Sequence, residues 1–238
     1  MTSHAQSRPQ AETHFSMGWL IAAALLSIAT WLGTEWLTHS PTHPRFAEML
    51  TAARTMQAAS RVFVTEKEAR GLLPSPSIDP NRTGMIGSEF TTITTTLGDI
   101  ASKRTTTNPD FAAALVRLVV SLDLPRGTPV VIILSGSFPG ATVAAIAAIE
   151  ALGLRPIVIA SLSASMWGAN DPEFNWLDMV AALRARGVIR ANIMAAVLGG
   201  GGSVGANMEP DGVAALRASA ARDNVTLIDV RPFSALVA

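Results

Sequence analysis

Four near-continuous apolar runs mark the second half of the chain: PVVIILSG (129 to 136), RPIVIASL (155 to 162), ANIMAAVLGG (191 to 200) and NVTLIDV (224 to 230). Strands that are apolar at almost every position, rather than at alternate ones, belong to parallel sheets buried on both faces. Between the runs lie alanine-rich stretches that predict helices near 139 to 152, 172 to 186 and 210 to 222, with an earlier one at 109 to 122. This alternation predicts an α/β fold: a Rossmann-like doubly wound, mainly parallel sheet with right-handed crossovers. A closed eight-fold barrel needs more chain than remains.

Each predicted helix opens near a proline, at Asn108-Pro109, Phe138-Pro139, Asp171-Pro172 and Glu209-Pro210. Proline suits a first helical turn because the N–H it lacks has no partner there, and Asn108 and Asp171 are good caps. In the last three cases the segment before the proline also follows a strand. SGSF, SLSASMWGAN and GGGGSVGANM therefore belong at the carboxyl edge of the sheet, where open parallel sheets bind ligands.

Upstream, FSMGWLIAAALLSIATWLGT (15 to 34) runs without a charge and with Trp19, Trp31 and Trp36 near its ends. About 20 apolar residues cross the hydrocarbon layer as a helix, and tryptophans favour its borders. The run is long for a cleaved signal peptide and its flank carries only Arg8 against Glu12, which favours a retained anchor. The usual orientation of such anchors puts the α/β domain outside the cytoplasm. Next, Phe46, Met49, Leu50, Ala53, Met56 and Phe63 recur at helical spacing between Pro44 and Gly71, predicting an amphipathic helical stalk. Three prolines in PSPSIDPNRTG read as an extended linker. The expected organisation is a tail at 1–14, an anchor at 15–37, a stalk at 44–72, a linker at 73–84 and an α/β domain at 85–238.

The charge balance, 18 basic against 18 acidic residues, provides no field to gather nucleic acid. There is no cysteine, so disulfides, thiolate nucleophiles and zinc–cysteine sites are excluded. His4, His14, His39 and His43 all precede the folded core, which excludes a Ser-His-Asp triad or a histidine metal site within it. Acid–base chemistry would fall to carboxylates or to Lys67 and Lys103, and a metal, if used, would be an oxygen-liganded cation such as magnesium.

The stretch EFTTITTTLGDIASKRTTTNPDF flanks Lys103 and Arg104 with hydroxyls. Threonines of this kind fit an edge strand or turn, and equally an anion pocket. In the second case Thr94, Thr95, Thr96, Thr105, Thr106 and Thr107 supply donors, Lys103 and Arg104 supply charge, and the helix capped by Asn108 presents its amino end. Ser135, Gly136 and Ser137 form a binding turn without the lysine of a P-loop or the pattern of a hydrolase nucleophile elbow. A serine–lysine pair using Lys103 is a further option. Asn170 and Asp171 are candidates for positioning a ligand or facing a metal, while Asp178, Trp167 and Trp176 suit surface charge and packing. Gly200, Gly201 and Gly202 fit a mobile loop closing over the site. They fit less well a dinucleotide fingerprint of Gly200, Gly202 and Gly205 with Asp229, because the helix starts only near Pro210.

GSEFTTITTTLGDIASKRTTTNPDFAA, LSGSFPGATVAAIAAIEALGL, SASMWGANDPEFNWLDM and LGGGGSVGANM together resemble the poly-gamma-glutamate system protein family, in the family's order over roughly 82 to 230. Similar proteins also begin with a membrane-spanning segment and a helical stretch, and continue past the position of Ala238. The resemblance implies association with other proteins of bacterial poly-gamma-glutamate (capsule polymer) synthesis or export, and supplies no catalytic residues. The expected function is a membrane-anchored accessory protein that binds an anionic small molecule or polymer, through a carboxylate or phosphate, at the sheet edge. The alternatives are a hydrolase or transferase using Glu89, Asp99, Asp171 or Lys103, and a non-catalytic scaffold.

Overall fold

The computed structural model describes residues 16–37 and 42–228. His4, His14, Phe15, His39 and Asp229, which enter the expectations above, lie outside the described residues. The chain divides into two compact units, Met1–Pro44 and Arg45–Ala238. In the first, helix α1 (Met17–Leu37) is 21 residues long and apolar enough to cross a membrane. Ser27 and Thr30 return their hydroxyls to the carbonyls of Ala23 and Leu26, at 2.9 and 2.7 Å, so these donors need no water.

The second unit contains helices α2 (Phe46–Arg70), α3 (Ile100–Thr106), α4 (Pro109–Val120), α5 (Pro139–Ala151), α6 (Trp176–Ala185) and α7 (Pro210–Arg222). Its strands are β1 (Pro129–Ser135), β2 (Arg155–Ser161), β3 (Ile193–Val197) and β4 (Thr226–Leu227), all parallel and in the order β1-β2-β3-β4. The α/β alternation is as the apolar runs predict. The doubly wound order has no counterpart among the described strands. Winding reverses only when a crossover returns past the first strand, and the described strands instead follow one another in sequence. Right-handed crossovers between consecutive strands put their helices on one face.

That face holds the core. Ile132, Val158, Ala160, Ile193 and Ala196 alternate into it and meet Val143, Ala144, Ile146 and Ala147 of α5. Successive residues of a strand point to opposite faces, so Val131, Ile133, Ile157, Ile159 and Val197 point away, and none of them joins the core.

Helix α2 packs on α4, α5 and α6 and buries Ala52, Met56, Ala59, Val62 and Phe63 at spacings of three and four. It is a wall of the domain rather than a separate stalk. The Phe63 ring meets Phe174 edge to face at 6.3 Å, and Gly71 ends the helix in the left-handed conformation that glycine tolerates. Phe46 and Leu50, at the start of the predicted stripe, stay exposed beside a groove of ≈ 300 Å³ between α2 and α4.

The proline-rich segment after α2 is also tied down, which its composition does not suggest. Asp79 is buried and its carboxylate accepts from the backbone N–H groups of Thr83 and Gly84, both at 2.8 Å. Side-chain caps fix the helix starts. Asn108 accepts from Asp110 N–H at 2.9 Å at the start of α4, as expected. Helix α6 starts four residues later than Pro172 suggests, because Asn175 and Asp178 form a reciprocal capping box, and Asp171 accepts instead from Glu173 N–H in a local turn. Helix α3 is unexpected: Asp99 caps it by accepting from Ser102 N–H at 2.7 Å, which turns the middle of the threonine-rich run into a helix.

Candidate functional site

The carboxyl ends of β1 and β2 are in register, which sets Ser135 beside Ser161. The ladder continues past the strand, with Ser163 N–H donating to the Leu198 carbonyl at 2.9 Å, so Ser163 follows on the same side as Ser161. The threonine run adds another wall. Thr94 bridges to Ala164 in parallel, Thr95 N–H donates to the Ala164 carbonyl at 2.9 Å, and Met166 N–H donates to the Thr96 carbonyl at 3.0 Å. The result is an open basin of ≈ 370 Å³ lined by the hydroxyl residues Thr95, Thr96, Ser135, Ser137, Ser161 and Ser163.

Gly200, Gly201 and Asn207 close the remaining side. Asn207 clasps the glycine loop to the threonines, accepting from Gly201 N–H and donating to the Thr95 carbonyl at 2.8 Å. Gly199 has φ +83°, and a Cβ there would stand 2.2 Å from the Ser163 hydroxyl and 2.3 Å from that of Ser161. Only glycine leaves room for both hydroxyls. Ser163 is 3 % exposed, yet its hydroxyl has no hydrogen-bond partner among the described residues, and neither has that of Ser161. Two donors at the floor of a hollow without a protein acceptor are groups that a ligand or water must satisfy. Among the described residues no carboxylate and no cation lines the basin.

Lys103 stands behind this wall, 2 % exposed. Its ammonium donates to the Ser137 carbonyl and to the Ser165 hydroxyl, the latter at 2.6 Å, and lies 4.1 Å from the Phe138 ring centroid. Ser165 N–H in turn donates to the Ser137 hydroxyl at 3.0 Å. Burial pulls the Lys103 ammonium down to about 8, so at neutral pH it remains mostly charged and acts as donor to both oxygens. The arrangement braces the turn after β1 against the loop after β2.

Arg104 points elsewhere. Its guanidinium holds the carbonyls of Ser77 at 2.6 Å and Ile78 at 2.8 Å, tying down the proline-rich segment. The structure does not bring it into the basin. Thr105, Thr106 and Thr107 spend their hydroxyls on the carbonyls of Ala101, Lys103 and Arg104 at 3.0, 2.8 and 2.8 Å, as helical threonines commonly do. The first turn of α5 is closed as well, since a Cβ on Gly140 would lie 2.5 Å from the Thr106 carbonyl oxygen.

Thr94 and Asn170 serve as internal pins. Asn170 is fully buried, accepts from Ser88 N–H at 3.0 Å, and donates to the Ser88 carbonyl at 2.8 Å and the Thr94 hydroxyl at 2.9 Å. Asn108 and Asp171 serve the caps and turns already described. Gly136 underlies the basin rim, its N–H donating to the Ser161 carbonyl at 3.0 Å. Gly202 sits in the 3₁₀ turn Gly201–Ser203 and does not line the basin. Helix α7 starts only at Pro210, so the glycines present no helix amino terminus to a pyrophosphate, and the dinucleotide pattern has no structural counterpart here.

Sequence reasoning missed Ser161, Ser163 and Asn207. The first two carry a readable signal: serines at the carboxyl end of a predicted strand, two apart, point to one side. Among the described residues no group of three or more His, Asp or Glu side chains stands together for a metal.

The fold and the site define an α/β protein with a neutral, hydroxyl-lined basin at the carboxyl edge of a four-stranded parallel sheet. Neither a family model, nor a curated protein, nor a solved structure matches this chain.

Proposed function

We propose that this chain is a membrane-anchored accessory protein of poly-gamma-glutamate production or export, and that its basin holds an anionic group, a glutamyl carboxylate or a phosphate. The observation that carries the binding role is the pair of unpartnered hydroxyls on Ser161 and Ser163 at the floor of the basin. Hydroxyl donors satisfy an oxyanion, no carboxylate among the described residues lines the basin to repel it, and the buried Lys103 ammonium adds a favourable field from behind the wall. The membrane role draws on α1, and the polymer system on the sequence resemblance. The test is calorimetric titration of the detergent-solubilised full chain with oligo-gamma-glutamate, glutamate, inorganic phosphate and the uncharged amide analogue of the oligomer. Binding of one of the anions without binding of the amide is expected. Heat from none of them sinks the binding role and leaves a scaffold.

A second reading, a hydrolase or transferase acting on a glutamyl or phosphorylated substrate, is favoured by the 2.6 Å contact between Lys103 and Ser165. Above about pH 8 the lysine loses its proton and would accept one from the serine. Release of glutamate from the oligomer that rises with pH and vanishes in Ser165→Ala supports this reading; absence of release at pH 9 removes it.

A further inference from the structure

We propose that the basin selects an oxyanion that carries no acid proton, a carboxylate, and turns away hydrogen phosphate. This rests on the reading of the basin as an anion site, and narrows it to one of the two groups named above. Most acceptors of the lining are already engaged. The carbonyls of Thr95 and Thr96 accept from Asn207 Nδ2 at 2.8 Å and from Met166 N–H at 3.0 Å, and that of Ser161 accepts from Gly136 N–H at 3.0 Å. Lys103 donates to the Ser137 carbonyl, while the carbonyls of Gly200 and Gly201 accept from Ser203 N–H at 3.0 Å and Val204 N–H at 3.3 Å. The Ser163 carbonyl packs on Gly136, where a Cβ would stand 3.2 Å from it. Asn207 Oδ1 is taken by Gly201 N–H.

The donors are in the opposite state. Of the lining hydroxyls only that of Thr95 donates to a described residue, to the Ala164 carbonyl at 3.3 Å. Those of Ser135 and Ser137 accept, from Ser137 N–H at 2.9 Å and Ser165 N–H at 3.0 Å, which fills a lone pair on each and leaves its proton unplaced. Thr96, Ser161 and Ser163 also have O–H groups without an acceptor among the described residues, and so does the N–H of Gly200. An acid proton on the ligand adds one more donor to this surplus. A hydroxyl that accepts it must still place its own, so the surplus stays. A carboxylate brings two oxygens that accept about four hydrogen bonds, and it brings no proton. Its single charge also suits a lining that has no cation among the described residues and only the Lys103 ammonium behind it.

Methyl sulfate and methyl phosphate test the proton alone. The two are matched in shape, and at pH 5 each carries one negative charge, but only the phosphate keeps an acid proton, because phosphate esters lose their second proton at about pH 6. Calorimetric titration of the detergent-solubilised full chain at pH 5 should show methyl sulfate binding about tenfold or more tightly than methyl phosphate. The gap should close at pH 7.5, where the ester has lost its proton while Lys103, at about 8, is still mostly charged. At that pH propionate should bind about tenfold or more tightly than inorganic phosphate, which keeps a proton. Equal affinity for the two esters at pH 5, a gap that persists at pH 7.5, or inorganic phosphate binding as tightly as propionate overturns the selection and leaves the anion site standing. Heat from none of these probes, nor from oligo-gamma-glutamate, removes the anion site and the selection with it.

Discussion

Lys103 donates to the Ser165 hydroxyl at 2.6 Å across 62 residues of sequence, and with the Ser137 carbonyl this joins α3 to two loops at the sheet edge. Lys103→Met keeps the apolar stem and removes the ammonium, leaving the buried Ser165 hydroxyl and the half-buried Ser137 carbonyl without their donor. A loss of about 2–3 kcal/mol is expected, because hydrogen bonds to charged groups contribute about 1.5–3 kcal/mol each while the methionine recovers some packing. Arg104→Met, which releases only carbonyls of the proline-rich segment, should lose about 1 kcal/mol. Urea midpoints of the two variants check the order.

Alkaline pH should stabilise the fold. Burial lowers both Lys67 and Lys103 to about 8, with Asp171 and Asp79 partly offsetting the effect at Lys67, against ~10.4 for a lysine in the unfolded chain. Between those values the unfolded chain binds more protons than the folded one, so stability is greatest above the upper value and falls as pH drops through 8. The chain has no tyrosine and no cysteine, so no other side chain obscures this window. Melting temperature should rise from pH 8 to pH 10, and the rise should flatten in Lys67→Met. A Tm that falls over that range contradicts the burial of both ammonium groups.

Asp79 organises the segment between α2 and the sheet domain through the N–H groups of Thr83 and Gly84. Asp79→Ala strands two buried donors and should cost about 2–4 kcal/mol, since each unmet group carries its own desolvation penalty. Chemical denaturation reads the loss, and protease cutting near Arg82 should accelerate in the same variant.

The apolar runs and proline positions made the strands and most of the helices legible, because burial on both sides and first-turn proline are local signals. Winding direction was not legible: it depends on which strands become neighbours, and the composition of β1 and β2 is the same whether or not a helix covers the second face. At the site, Ser135, Ser137, Gly200 and Gly201 were readable from their place after strands, and Thr95 and Thr96 from the hydroxyl-rich run around Lys103 and Arg104. The division of labour between Lys103 and Arg104 was not. Adjacent helical residues point about 100° apart, so one entered the wall of the basin and the other reached the Ser77 and Ile78 carbonyls. Helix α3 itself was hidden because threonine favours strands and turns until an aspartate caps the helix.

In the proposed function Ser161 and Ser163 keep their hydroxyls for a ligand. Among the described residues neither hydroxyl has a protein partner, so the Ser161→Ala, Ser163→Ala double variant should hold its melting temperature or gain slightly. Calorimetric titration of that variant with whichever anion the native chain binds measures the claim directly. At least a tenfold loss of affinity with an unchanged Tm is expected; affinity equal to that of the native chain would remove the binding role of both hydroxyls.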